Sequence, residues 1–162
     1  MLYILEEGMK HFYRILTESG YPDFISVKGS GAAGGIGGTL YALLNAKLQP
    51  GIDVVLSMLD FDKIVKGADL VITGEGSLDY QTCHGKTPMG VLRHAQKYNV
   101  PVIALGGQVD NRDILSDTGF AAIVSIINKP MSLSECIIEN ITKYNLQYTT
   151  SQLIKLILTF QK

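Results

Sequence analysis

The chain has 162 residues, of which 46% are hydrophobic and 18% charged, enough for one ordinary domain or parts of two and too apolar for a disordered chain. A formal net charge of -1 argues against a general nucleic-acid or anionic-membrane surface. Cys83 and Cys136 lie far apart and form no C-x-x-C pair, which argues against a disulfide framework or zinc knuckle and points to a reducing cytoplasm.

Glu6 and Glu7 interrupt the amino-terminal apolar pattern, against a secretory signal, and no apolar run reaches the about 18 residues of a membrane span. Leu2 to Ser19 reads as an amphipathic helix, with Ile4, Met9, Phe12, Ile15 and Leu16 at helical spacing, Gly20 as carboxyl cap and Pro22 beyond. This start, a helix with no strand before it, is abrupt for an α/β domain and leads us to expect a missing amino-terminal part. Asp23 to Val27 reads as a short strand. Residues 29–38 follow, six of the ten being glycine, and Leu40, Leu43, Leu44 and Leu48 continue as a helix. Glycines let a backbone approach a ligand, and a helix amino terminus offers N–H groups to an anion. We prefer that anion-loop reading to a flexible turn with tight helix packing.

Gln49-Pro50-Gly51 reads as a turn, Ile52–Leu56 as a strand and Phe61–Gly67 as a short helix. Regular alternation follows: strand Leu70–Ile72 and helix Thr87–Tyr98, strand Val102–Leu105 and helix Asn111–Asp117, strand Ala121–Ile126 and helix Leu133–Ile141. A last helix, Ser151–Phe160, has Leu153, Ile154, Ile157 and Leu158 on one face. The alternation predicts an α/β fold, a parallel sheet with helices on both faces. Gly106-Gly107 reads as a turn after its strand.

The stretch Asp69–Pro88 organises the rest. An apolar run breaks into a Gly-rich polar segment holding Glu75, Asp79, Gln81, Thr82, Cys83, His84 and Lys86 before a new helix begins. Strand, polar loop, helix is where α/β proteins place ligands, outside the carboxyl ends of strands. Gly29-x-Gly31-x-x-Gly34 fits the dinucleotide fingerprint by letter and motivates an alternative, an NAD(P)-binding module. Its context is poor: Asp53 starts its apolar run, and Asp60 and Asp62 lie too far along. Gly85-Lys86-Thr87 looks like the tail of a P-loop, but Tyr80 stands where that motif needs glycine. Cys83 and His84 are too close in sequence to act as nucleophile and base, so packing or a hydrogen bond is the reading for both. His94, Arg93, Lys63, Lys66 and Lys97 read as surface.

Two stretches together carry a resemblance. Gly29-Ser-Gly-Ala-Ala-Gly-Gly, followed some forty residues later by Asp69-Leu-Val-Ile-Thr-Gly-Glu-Gly and Asp79-x-Gln81-Thr82-x-x-Gly85-Lys86-x-Pro88-x-Gly90-Val91, resembles the glycerate kinase family of the 2-phosphoglycerate-forming type. Pro101–Gly107 also resembles that family's corresponding strand. The resemblance runs over essentially the whole chain and covers only the carboxyl-terminal part of the family.

It implies two α/β domains with the active site in the cleft between them. Residues 1–66 would be the carboxyl end of an inserted α/β domain, and 67–162 the carboxyl part of a three-layer, Rossmann-like domain. The implied reaction is ATP-dependent phosphorylation of D-glycerate. The implied roles are Glu75, Asp79 and Lys86 in catalysis, with Glu75 or Asp79 holding Mg²⁺, and Gln81 and Thr82 on the hydroxy-acid. Gly29, Ser30, Gly31, Gly34, Gly35 and Gly74 would face the nucleotide. Bland readings stand beside these: Gln81 and Thr82 as caps of the helix near Lys86, and Glu75 as an acceptor for its own turn. The implied partners are the small-molecule substrate and either the missing amino-terminal half or a second copy. A non-catalytic truncated domain kept for assembly is the remaining alternative.

Overall fold

The structure, a computed structural model, describes residues 2–160. It divides into two compact units, one ending at Val54 and the other starting at Val55.

In the first unit, α1 spans Leu2–Glu18 and α2 spans Ala32–Leu44. The Gly20 N–H bonds the Thr17 carbonyl and the Tyr21 N–H that of Leu16, closing α1 as predicted. A small core of Leu16, Phe24 and Ala42 is flanked by Tyr13, Val27 and Tyr41. Of the apolar α1 residues read from the sequence, only Leu16 is buried; Ile4, Met9, Phe12 and Ile15 are exposed.

Asp23 to Val27 is a turn, not the expected strand. The Asp23 carboxylate accepts from the Ile25 N–H at 2.9 Å and from the Tyr13 hydroxyl at 3.1 Å, giving the backbone a local partner in place of a ladder. α2 stops at Asn45, which is left-handed, so Leu48 lies beyond it. Ile52 to Leu56 is also no strand: it belongs to α3, Gly51–Met58, whose Asp53 and Val54 N–H groups bond the Pro50 carbonyl. A short apolar run fits either period, and here Pro50-Gly51 starts a helix.

The second unit continues with α4, Phe61–Val65, then β1, Val71–Leu78, α5, Thr87–Gln96, β2, Val102–Val109, α6, Arg112–Ser116, and β3, Ala122–Ser125. The three strands form one parallel sheet in the order β1-β2-β3. Two strands outrun the sequence reading. Gly74 to Ser77 and Gly106 to Val109 look like loop but pair with one another, Glu75 opposite Gly106 and Ser77 opposite Gln108. The glycines permit close approach rather than turning: a Cβ on Gly107 would lie 2.7 Å from the Gly76 carbonyl oxygen.

Leu133–Ile141, expected as one helix, is broken. α7 is only Leu133–Cys136, started by a Ser132–Glu135 capping box, and α8 runs from Glu139 to Phe160, absorbing the predicted last helix. Both sheet faces are covered. Leu78, Ala104 and Leu115 of α6 form one core cluster; Ile103, Leu105 and Ile126 form the other, against Leu153 and Ile157 of α8. The chain advances across the sheet through α5, between β1 and β2, and α6, between β2 and β3. The result is the predicted three-layer α/β arrangement.

Candidate functional site

The site is built at the carboxyl end of β1. Glu75 sits in the strand, two residues after Thr73, and Asp79 follows the last strand residue. The chain then makes a 3₁₀ turn, Thr82–His84, and leaves it through Gly85 at φ +103°, a left-handed step that a side chain would strain. Lys86 is extended and precedes α5, whose first turn holds the buried Pro88. This path folds the lysine back onto β1. Its Nζ lies 3.3 Å from Asp79 Oδ1 and 3.9 Å from Glu75 Oε1, and each of the three side chains is about one third exposed.

The two carboxylates differ. Asp79 Oδ1 accepts from the N–H groups of Gln81 at 2.8 Å and Thr82 at 3.2 Å as well as from Lys86, while among the described residues Oδ2 meets only the Ser77 hydroxyl, at 3.5 Å. Burial pushes the Asp79 carboxyl up, but the Lys86 hydrogen bond and charge, with the two backbone N–H groups, outweigh it and hold the group below the usual aspartate range. Glu75 Oε2 is buried with no hydrogen-bond partner among the described residues. A buried carboxylate oxygen without a donor calls for an explanation, and an incoming ligand or ion is one.

Thr82 is fully buried, and its hydroxyl accepts from the Asp79 N–H at 3.0 Å. Gln81 is exposed. His84 donates from Nδ1 to the Tyr80 carbonyl oxygen at 2.9 Å and packs on the Tyr80 ring, while Cys83 packs against the Leu78–Leu115 cluster. Both follow the packing reading of the sequence. Ser77 and Asn111, whose side chain accepts from the Tyr80 N–H at 3.3 Å, also border Asp79 and its loop, though the sequence does not mark them as functional. Their signal was faint: a hydroxyl hidden in a Gly-rich run, and an Asn just past a strand.

Beside Glu75, Gly76 and Ser77 runs a groove of about 1360 Å³, floored by Gly106 and Gly107 and walled by Met131 and Leu146. Gly74 lies mid-strand, where a Cβ would stand 3.0 Å from the Leu105 carbonyl oxygen.

The glycine loop belongs to the first unit. Ala33, Gly34 and Gly35 are all left-handed at the start of α2. The N–H groups of Ser30, Ala32, Gly35 and Gly38 bond carbonyls within residues 27–31, so part of the expected donor set is already used. Gly37 and Gly38 follow the packing reading, since a Cβ would meet the Gly29 carbonyl oxygen at 2.4 Å and the Phe24 ring at 2.3 Å. Gly31 has φ -76° and open space around it. Among the described residues no strand precedes the loop, so the dinucleotide fingerprint lacks its context there.

One correction concerns His94. It is not surface: its side chain is 13% exposed and its Nδ1 lies 2.5 Å from Asp62 Oδ1, with Lys97 Nζ 3.2 Å from Asp62 Oδ2.

Comparison with known proteins bears on the whole arrangement. The model of the glycerate kinase family matches residues 1–158. The chain belongs to the glycerate kinase family. It is 43% identical over 136 residues to the glycerate kinase of Bacillus cereus (83% of this chain, 36% of that protein). It is 36% identical over 136 residues to the glycerate 2-kinase of Escherichia coli K12 (83% and 36%) and 37% identical over 154 residues to the glycerate kinase of Neisseria meningitidis (94% and 40%). A crystal structure described as glycerate kinase 2 of Salmonella typhimurium LT2 superposes with a TM-score of 0.67 at 33% identity, covering 94% of this chain and 39% of that one. The chain thus spans between a third and two fifths of the length of these family members. Among the described residues, no helix is long and apolar enough to cross a membrane, and no three His, Cys, Asp or Glu side chains gather closely enough to hold a metal.

Proposed function

We propose that the chain carries part of the machinery of a glycerate kinase, for ATP-dependent phosphorylation of D-glycerate to 2-phosphoglycerate. The observation that carries the reading is the Glu75–Lys86–Asp79 constellation at the end of β1, in a member of this family. Phosphoryl transfer needs an anion cradle, a cation against developing charge and a carboxylate for the substrate proton or for Mg²⁺. Lys86, at the amino end of α5, supplies the cation where the helix dipole also favours an anion. Asp79, held ionised, is the candidate base, and Gln81 is the exposed amide beside it for the hydroxy-acid.

Magnesium would be held by Glu75 or Asp79, and when bound it supplies charge neutralisation on the phosphates. The donor set suits it, because this ion takes one or two carboxylates with phosphate and water rather than an all-protein cage. The unpartnered Glu75 Oε2 favours Glu75 for that role and Asp79 for the proton. Gly29, Ser30, Gly31, Gly34 and Gly35 remain the proposed phosphate loop, with the free space at Gly31 as its support.

The domain assignment, residues 1–66 and 67–162 as parts of an inserted and a Rossmann-like domain, belongs to the same proposal, as does a cytoplasmic setting. The test is glycerate-dependent ADP release, measured for the chain alone and mixed with the rest of a full-length relative. Activity in neither, with ATP and D-glycerate at saturating levels, overturns the reading. Tighter binding of NADH than of ATP would favour the NAD(P) alternative instead.

A further inference from the structure

We infer that Thr82 is a positioning residue, whose buried hydroxyl locks the Asp79 loop so that Asp79 turns Oδ2, not Oδ1, toward the reacting groups. The inference rests on the kinase reading for what those groups are. The lock itself rests on geometry.

Thr82 is 0% exposed although it lies in a polar loop between the exposed Gln81 and the half-buried Cys83. A hydroxyl with no accessible surface does not touch a substrate, so the role implied for it by family resemblance needs replacing. Its partners show what it does. Thr82 Oγ1 accepts from the Asp79 N–H at 3.0 Å, and the Thr82 N–H returns to Asp79, 3.2 Å from Oδ1 and 2.9 Å from the main-chain carbonyl oxygen. This is the reciprocity of a capping box, with Asp in the capping position and Thr three residues on.

An ordinary capping aspartate is finished at that point. Here the same carboxylate also reaches Lys86. Oδ1 collects three donors, the Gln81 and Thr82 N–H groups and the Lys86 ammonium, which more than fills its two lone pairs. Among the described residues Oδ2 has the Ser77 hydroxyl alone, at the outer limit of a hydrogen bond. The asymmetry assigns the two oxygens different work: Oδ1 anchors the loop and the lysine, and Oδ2 keeps the lone pairs for a proton or a ligand. Thr82 is what makes the asymmetry, because without its hydroxyl the Asp79 N–H loses its acceptor and the turn that aims both N–H groups at Oδ1 loosens.

Valine at position 82 keeps the shape and removes the hydroxyl; serine keeps the hydroxyl. Amide hydrogen exchange on the full chain reads the lock without any turnover. In the wild type the Asp79 and Gln81 amides are expected to be protected. In Thr82→Val, checked for folding by circular dichroism, both should exchange about five- to tenfold faster, the worth of one net hydrogen bond, with the β2 amides unchanged. Thr82→Ser should restore both. The Gln81 amide is the decisive one, because it reports the Asp79 carboxylate and not the packing of residue 82. Unchanged Gln81 protection in a folded Thr82→Val chain, or a serine variant that fails to restore it, overturns the lock. Should the valine variant not fold, unprotected Asp79 and Gln81 amides in the wild type overturn it equally, and protected ones lost in no serine variant support it. In a preparation that phosphorylates glycerate, Thr82→Val should lower kcat with both KM values held, and Thr82→Ser should recover it; a KM effect alone would return Thr82 to substrate binding. Absence of turnover in every preparation overturns the kinase reading and leaves the exchange pattern to judge the lock.

Discussion

Lys86 holds two carboxylates at once, and that decides how its removal should be read. With Glu75 and Asp79 ionised the trio carries one net negative charge; without the ammonium it carries two, side by side. Lys86→Met therefore removes the cation proposed to face the phosphate and also favours protonation of the carboxylate proposed as base. In an active preparation turnover should fall at least about a hundredfold, the scale of losing one charge-stabilising group. A loss within a factor of a few would take Lys86 out of the site. Gly31 permits a cleaner test of the loop than its neighbours. With φ -76° and no atom within 4 Å of a Cβ, Gly31→Val should fold and melt like the wild type. Its ATP affinity should still fall if the loop cradles phosphate. Wild-type affinity in the folded variant would make residues 29–38 a packing element only.

At the level of elements, Asp62 ties α4 to α5 through His94 and Lys97. The His94 hydrogen bond, partly opposed by burial and reinforced by Lys97, holds the Asp62 carboxyl below its ordinary value. A carboxyl depressed on folding contributes stability that is present above its unfolded value, about 3.9, and is lost as the pH falls through the lower folded value. Asp62→Asn should thus lower the thermal midpoint at neutral pH, and the gap to wild type should shrink below about pH 4. An equal gap at both pH values would show that the carboxylate charge is not what ties these helices. The sequence announced α5 and the start of β2 because each has a clear period and a flanking signal. It hid the outer halves of β1 and β2, since Gly74, Gly76, Gly106 and Gly107 have no side chains to show a pattern and their reason is a neighbouring strand. Ile52–Leu56 misled for the opposite cause, an apolar run too short to fix a period. Glu75, Asp79 and Lys86 were legible as types in one stretch. The split of labour between Asp79 Oδ1 and Oδ2 was not, because it depends on a turn that the letters Gln81-Thr82 do not specify.

For the whole chain, the expected outcome is that it does not sustain glycerate kinase activity alone. It spans between a third and two fifths of the length of the family members compared with it. Its sheet has three strands among the described residues, and the three proposed catalytic side chains each keep about a third of their surface open to water. Orienting two substrates and excluding water supply much of the rate in such reactions, and a half-open constellation does neither well. The exposed apolar surface should show physically. Tyr3, Ile4 and Leu5 of α1 and Leu133, Ile137 and Tyr144 of the second unit are large, apolar and more than half exposed, above the scattered exposure normal for a monomer. The purified chain should therefore self-associate with rising concentration in sedimentation velocity, and added amino-terminal portion of a full-length relative should suppress that association as it restores ADP release. Each measurement constrains the other. A chain that stays monomeric and turns over glycerate and ATP at the rate of a full-length relative would show that these surfaces need no cover and that residues 1–162 suffice. A chain that associates but gains no activity from the added portion would separate the exposed surface from the chemistry, and would overturn the kinase reading of the Glu75–Asp79–Lys86 site.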